Sequence, residues 1–360
     1  MAEKKKVRIG LGSFDLIKGI AIFFVIFAHV QPRFPSNELP FLVPFAFLGS
    51  LQAQGSMPMF FIMSGYGHRE KKPDAVLRKS FSELIVSYLW AVLICLCVRL
   101  LFAWPIYYGS MERRLEDLFA YFMAFLLGLP AEKDLFGVHL WASGALWFFL
   151  ALFIAENLLN LIVKIKNNYL QFLSVALCIV AGFLLFRVDF DYYCIPQGLH
   201  ATAFCYLGYL LKKHKLVERG LYSKWVYIVL GSFVVVLAIW IAYSGNWFGM
   251  AAGNYDFFMY IAAGINGVFL LFAGVYCDRL EWKWLEPLRK MGMYSYWIII
   301  VHSIETLGFP WYELKQESPS SLLAFCIEVA MKVIIITTGC AICKRLSQSK
   351  YKRKMVRNGK

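Results

Sequence analysis

An all-α fold that crosses a membrane about ten times is what this sequence predicts, and three observations predict it. Of 360 residues, 60% are hydrophobic, and mean hydropathy is +0.59. Soluble domains are about 45–50% apolar, so lipid must replace water around much of this chain. Apolar runs also recur at the ~20 residues needed to cross ~30 Å of hydrocarbon. Finally, Lys and Arg gather in alternate loops, the signature of membrane topology.

Taken in order, the N-terminus MAEKKKVR precedes an apolar run from Phe14 to Val30. No A-x-A cleavage site follows, and further apolar segments come later, so the run reads as a retained first helix. Ten segments are long enough to span: 13–30, 41–67, 81–103, 145–163, 169–187, 197–211, 224–243, 256–277, 291–308 and 320–343. The second carries Pro44, Gly49, Gly55 and Pro58, which predict a kinked or interrupted helix. Segment 117–129 has the length of an interfacial or re-entrant piece. If it does not span, the loops on the N-terminal side hold 27 Lys and Arg and those opposite hold 5. That bias predicts ten spans with both termini cytoplasmic, in the plasma membrane. It also accounts for the net charge of +14 without nucleic acid, which would need a basic face on a polar domain. Residues 1–343 read as a single transmembrane domain and 344–360 as a basic cytoplasmic tail that frays. The nine cysteines lie mostly in apolar runs and read as free, small hydrophobes.

Charged residues inside a membrane helix are costly and point to function. The first helix holds Asp15, Lys18 and His29. Lys18 and His29 are eleven residues apart, which places them roughly 20° apart on one face and about 16 Å apart along the axis. The alternative is that Asp15 and Lys18 are interfacial anchors, Lys18 snorkelling to the headgroups. An imidazole can serve as a general base near neutral pH. His302, with Glu305 one turn on, either lines the same cavity or makes a helix–helix hydrogen bond. Arg99 and Arg187, at outer helix ends, read as snorkelling side chains. Glu328 and Lys332, spaced i,i+4, read as a structural pair. Glu156 has no evident partner. Ser64 is a candidate cavity residue, although Ser64 and Gly65 also suit close helix packing. Trp104–Tyr108, Tyr192–Tyr193, Trp247–Phe248 and Trp311–Tyr312 read as interfacial belts. No G-x-S-x-G, H-E-x-x-H or Walker motif occurs, and no metal is expected.

Five blocks of the chain resemble the membrane-bound acyltransferase-3 family. Lys18-x10-His29 has the spacing of its Arg/Lys-x10-His signature, within a D-x-x-K-G-I-A pattern. MPMFFIMSGY (57–66), LWFFLALF (146–153), FCYLGYLLK (204–212) and YSYWIIIVH (294–302) follow in family order. The resemblance implies a ten-helix fold. It further implies transfer of an acyl group, usually acetyl from acetyl-CoA, to a hydroxyl of an extracytoplasmic glycan or lipid-linked sugar. It makes His29 the base and Lys18 a contact on the CoA side, beside Asp15. Arg78 and Lys79 fall near the family's Arg-x-x-Arg, but Phe81 occupies its second position and Ser87-Tyr88 stands where Pro-Tyr is usual. The loop 68–80 remains a dense cationic segment suited to phosphates. Similar bundles serve as membrane domains of serine-racemase-like resistance proteins, so the rival expectation is a transporter of a small polar solute.

Overall fold

A computed structural model describes residues 9–35, 37–106, 110–135, 137–244 and 248–358. The basic start of the chain (1–8), Tyr107, Tyr108 and Trp247 lie outside the described residues, as do the side chains of Trp104 and of 346–358.

The chain is an all-α polytopic membrane protein. Its helices are α1 (Asp15–Val30), α2 (Val43–Gly67), α3 (Pro73–Ser80), α4 (Val86–Ile106) and α5 (Met111–Leu126), then α6 (Trp147–Ile162), α7 (Asn168–Arg187), α8 (Ile195–Lys213), α9 (Leu216–Gly220) and α10 (Lys224–Ser244), and last α11 (Phe257–Asp278), α12 (Glu286–Met293), α13 (Ser295–Gly308), α14 (Trp311–Glu317) and α15 (Ser321–Asn358). Seven helical stretches among the described residues are long and apolar enough to span: Gly12–Val30, Pro73–Phe102, Gly144–Ile162, Asn168–Arg187, Lys224–Ile241, Phe257–Asp278 and Ser321–Arg345. The other three expected spans fall on α2, α8 and α13. They carry the small and polar residues that let helices approach one another in lipid.

Two expectations are corrected. First, α2 is not interrupted: it is one continuous helix with Pro58 inside it. Pro44 sits in its first turn, where the missing N–H has no intrahelical partner to lose. Gly55 lies against the Asn266–Gly267 backbone and Gly65 against the Cys205 carbonyl. The helix breakers of α2 thus act as contact surfaces. Second, the basic tail does not fray at Lys344, because α15 runs unbroken to Asn358; Lys and Arg are good helix formers.

Segment 117–129 lies mostly in α5, which opens with the Ser110 side chain accepting from the Arg113 N–H. A hairpin not expected from the sequence follows, β1 (Lys133–Leu135) pairing antiparallel with β2 (Val138–Leu140). The loop between α1 and α2 is tied to the start of α15. Glu38 accepts from the Ser321 hydroxyl at 2.5 Å and from Lys315 at 2.9 Å. Those two hydrogen bonds hold its carboxyl below its ordinary value.

Candidate active site

The end of α1 distant from the N-terminus meets the middle of α13 and the first half of α15. Four charged residues are almost wholly buried there: Arg33, Glu305, Glu328 and Lys332. Each is explained by its neighbours. The Lys332 ammonium donates to both Glu305 oxygens, at 2.8 and 2.6 Å, and lies 3.6 Å from Glu328. The Arg33 guanidinium clasps Glu328 with two nitrogens, the Nε bond measuring 3.0 Å. Aromatic faces cover both cations, Trp311 at 4.6 Å from Lys332 and Tyr312 at 5.5 Å from Arg33. Two cations and two anions leave the cluster neutral, which is what burial in hydrocarbon requires.

From this cluster a hydrogen-bonded line runs to His29. His302 Nδ1 lies 2.6 Å from Glu305 Oε1. A carboxylate only accepts, so Nδ1 carries the proton and Nε2 has the lone pair. His302 Nε2 faces His29 Nδ1 at 3.3 Å, and the same His29 Nδ1 lies 2.7 Å from the Val25 carbonyl. Both partners accept, so His29 Nδ1 is the protonated nitrogen. The partners therefore assign one tautomer to each imidazole, and His29 keeps its lone pair on Nε2. The rings meet edge to face, centroids 5.0 Å apart. Thr306 adds a hydrogen bond to Glu305 at 3.0 Å. One imidazole is thus oriented by a second, itself oriented by a carboxylate, an arrangement suited to general-base chemistry.

Of the sequence-predicted residues, His29, His302 and Glu305 come together here. Ser64 does not. Its hydroxyl donates to Glu156 at 2.9 Å, giving Glu156 the partner the sequence did not disclose. Both line a separate pocket of about 450 Å³ between the end of α2, α3 and α6. Arg69, Lys71 and Lys79 also line it. Asn160 holds its loop by bonding both the N–H and the carbonyl of Lys71, and Asn157 donates to the Ser80 hydroxyl at 2.9 Å. Burial, then the Lys212 charge, lowers the His68 pKa, and its Nε2 has no hydrogen-bond partner among the described residues. Cations and hydroxyls in a concave site suit a phosphorylated ligand. Arg78 is exposed and is not part of the wall. Lys18 and Asp15 pair with each other at 2.6 Å, and Asp15 borders an acid-rich hollow with Asp278, Glu281, Glu286 and Arg289.

Arg99 does not snorkel. It donates to Asp117 at 2.5 and 2.9 Å and to the Leu307 carbonyl, stacked 4.0 Å over Tyr121. Arg187 is exposed, as expected of an interfacial side chain. Trp311 and Phe248 are buried rather than belted at an interface. Trp311 donates its indole N–H to the Glu305 carbonyl at 2.9 Å. Glu328 and Lys332 do pair, but as part of the network. Their signal was charge inside an apolar segment, and the local i,i+4 spacing gave it an explanation too soon. No group of residues suited to a metal ion occurs among the described residues.

A multi-pass helical membrane protein with a carboxylate–imidazole–imidazole line beside its membrane core is thus the class in hand. Residues 11–343 match the model of an acyltransferase domain, Acyl_transf_3, and the chain belongs to that acyltransferase-3 family. No curated protein and no solved structure matches the chain.

Proposed function

We propose that this membrane acyltransferase moves an acyl group, most simply acetyl, from cytoplasmic acyl-CoA to a hydroxyl of an extracytoplasmic glycan or lipid-linked sugar, at the plasma membrane. The observation that carries the reading is the Glu305–His302–His29 line, which leaves a basic nitrogen on His29 and a path for charge behind it. Arg69, Lys71 and Lys79 bind the donor's phosphates at the basic pocket. Phe14, just before α1, packs on Tyr66 at the end of α2, ring centroids 5.1 Å apart. Lys18, on the His29 face of α1 and paired with Asp15 at 2.6 Å, contacts the CoA side of the donor.

His29 Nε2 removes the proton of the acceptor hydroxyl as its oxygen attacks the thioester carbonyl. His302 and Glu305 stabilise the imidazolium that forms. When the carbon–sulfur bond breaks, His29 returns the proton to the leaving thiolate, so the base is regenerated and no further reactant is needed. The test uses purified protein with labelled acetyl-CoA and membrane glycolipids. His29→Ala should lower transfer by ~10²–10⁴-fold, the usual contribution of a general base, while donor binding stays intact. Retention of more than half the activity would remove His29 from the mechanism.

A further inference from the structure

The helices α1, α12, α13 and α15 enclose a groove of about 760 Å³. Phe23, Phe27, Ile298, Val329, Val333 and Ile336 make its wall apolar. Cations gather at one mouth, where Lys290, Lys344 and Tyr294 stand together. Lys344 donates to the Tyr294 hydroxyl at 2.9 Å and lies 5.2 Å over that ring, a neutral partner that leaves its charge unbalanced. Lys290 reaches Glu286 only at 4.0 Å, and both side chains are more than half exposed, so that pair is weak.

The groove has a length. Lys344 and Phe325 both line it, nineteen residues apart on one helix, or about 28 Å, close to a ~30 Å hydrocarbon layer. The stretch from Lys344 to Lys332 covers about 18 Å of it. A cationic mouth followed by an apolar channel through the hydrocarbon layer is complementary to an anionic head on a hydrocarbon chain.

We propose that this groove is a binding site for an anionic phospholipid. The phosphate is held by Lys290, Lys344 and the Tyr294 hydroxyl, and one acyl chain lies along α15 as far as the Lys332 stem. The apolar wall argues against a soluble anion. A nucleotide would bury hydroxyls and ring nitrogens there without partners, and a pantetheine arm its amides, a cost a hydrocarbon chain does not incur. The chain's far end reaches Lys332, which lines the groove. The site is independent of the acyl-transfer reading, since it is defined by the groove and its mouth.

The experiment places the full-length protein in nanodiscs of phosphatidylcholine mixed with phosphatidylglycerol. Retained lipid is then counted by native mass spectrometry. Wild-type protein should keep phosphatidylglycerol in preference to phosphatidylcholine. The double variant Lys290→Gln/Lys344→Gln should lose that preference by roughly tenfold or more, since each basic residue at an anionic surface contributes comparably. A control pair on another loop, Lys213→Gln/Lys215→Gln, should keep it. Ala341→Trp, which fills the groove and leaves the mouth intact, should also lose the lipid. The proposal is overturned if Lys290→Gln/Lys344→Gln binds like wild type, if the control pair loses as much, or if inorganic phosphate at matched ionic strength displaces the lipid.

Discussion

Glu305 divides two carboxylate oxygens among His302, Lys332 and Thr306, so what it does for catalysis and what it does for folding can be separated. Glu305→Gln strands the buried Lys332 ammonium, and losing one partner of such a pair costs about 3–5 kcal/mol. It also lets an amide N–H face His302 Nδ1, which reverses that ring's tautomer and sets two donors against each other at His29. Glu305→Gln/Lys332→Met removes the stranded charge. We expect the double variant to recover most of the thermal stability and none of the transfer rate; recovery of both would make Glu305 purely structural. Lys18→Met should weaken acyl-CoA affinity and lower transfer, leaving acceptor affinity near wild type, with Arg partly tolerated there. Affinity measured per folded molecule is the check, and an unchanged value returns Lys18 to its pairing with Asp15. At this scale the sequence was informative where a polar group stood alone, as His29 does. It misled where a local partner was available. Glu328 and Lys332 explain each other four residues apart, while the Arg33–Glu328 contact closes over 295 residues and no spacing rule reaches that far.

Whole helices were easier to read than their ends, because length and apolarity are set by the bilayer while ends are set by neighbours. The correction in α15 is of this kind, and so is the β1–β2 hairpin, which pairs three residues on each strand. Where helices cross, glycine sets the separation. A Cβ on Gly292 would lie 1.6 Å from the Asp15 carbonyl oxygen, and one on Gly19 1.8 Å from that of Leu288. Neither contact can yield without moving backbone. Gly292→Ala should therefore part α1 from α12 and destabilise the protein by about 1–3 kcal/mol, the usual cost of overpacking. Gly231→Ala, whose nearest neighbour is a Phe269 ring atom at 3.7 Å, should be neutral or stabilising. Equal melting temperatures for the two variants would show that the α1–α12 contact adapts.

For the molecule as a whole, the charge bias of the loops sets a testable direction. The α5–hairpin segment should face outward and the end of α15 the cytoplasm. A cysteine at Val138, which is 40% exposed, should react with an impermeant maleimide added to intact cells. Reaction only after the membrane is opened would mean that 117–129 spans and that every later helix is inverted. The sequence sets this expectation because it is a sum over many residues. The pairing of α1 with α13 and α15 could not be read there, because it depends on which helices enclose which.

That pairing has a consequence in time. His29 leaves the ribosome early, whereas Lys332 and Glu328 are among the last residues of the membrane domain to be made. Until α13 is made, the His29 imidazole has the Val25 carbonyl of its own helix as partner, and Arg33 waits longer still, for Glu328 of α15. The final helix then brings two charges into lipid, which it can do at low cost only because Arg33 and Glu305 are already in place to receive them. Insertion of α15 therefore completes this charge cluster. A chain that stops before α15 should insert, fail to close, and present Glu305 and Arg33 uncompensated to the cell's quality-control proteases. Pulse-chase measurement of chains truncated at Ser320 would show this as a shortened half-life, even though every earlier helix is intact.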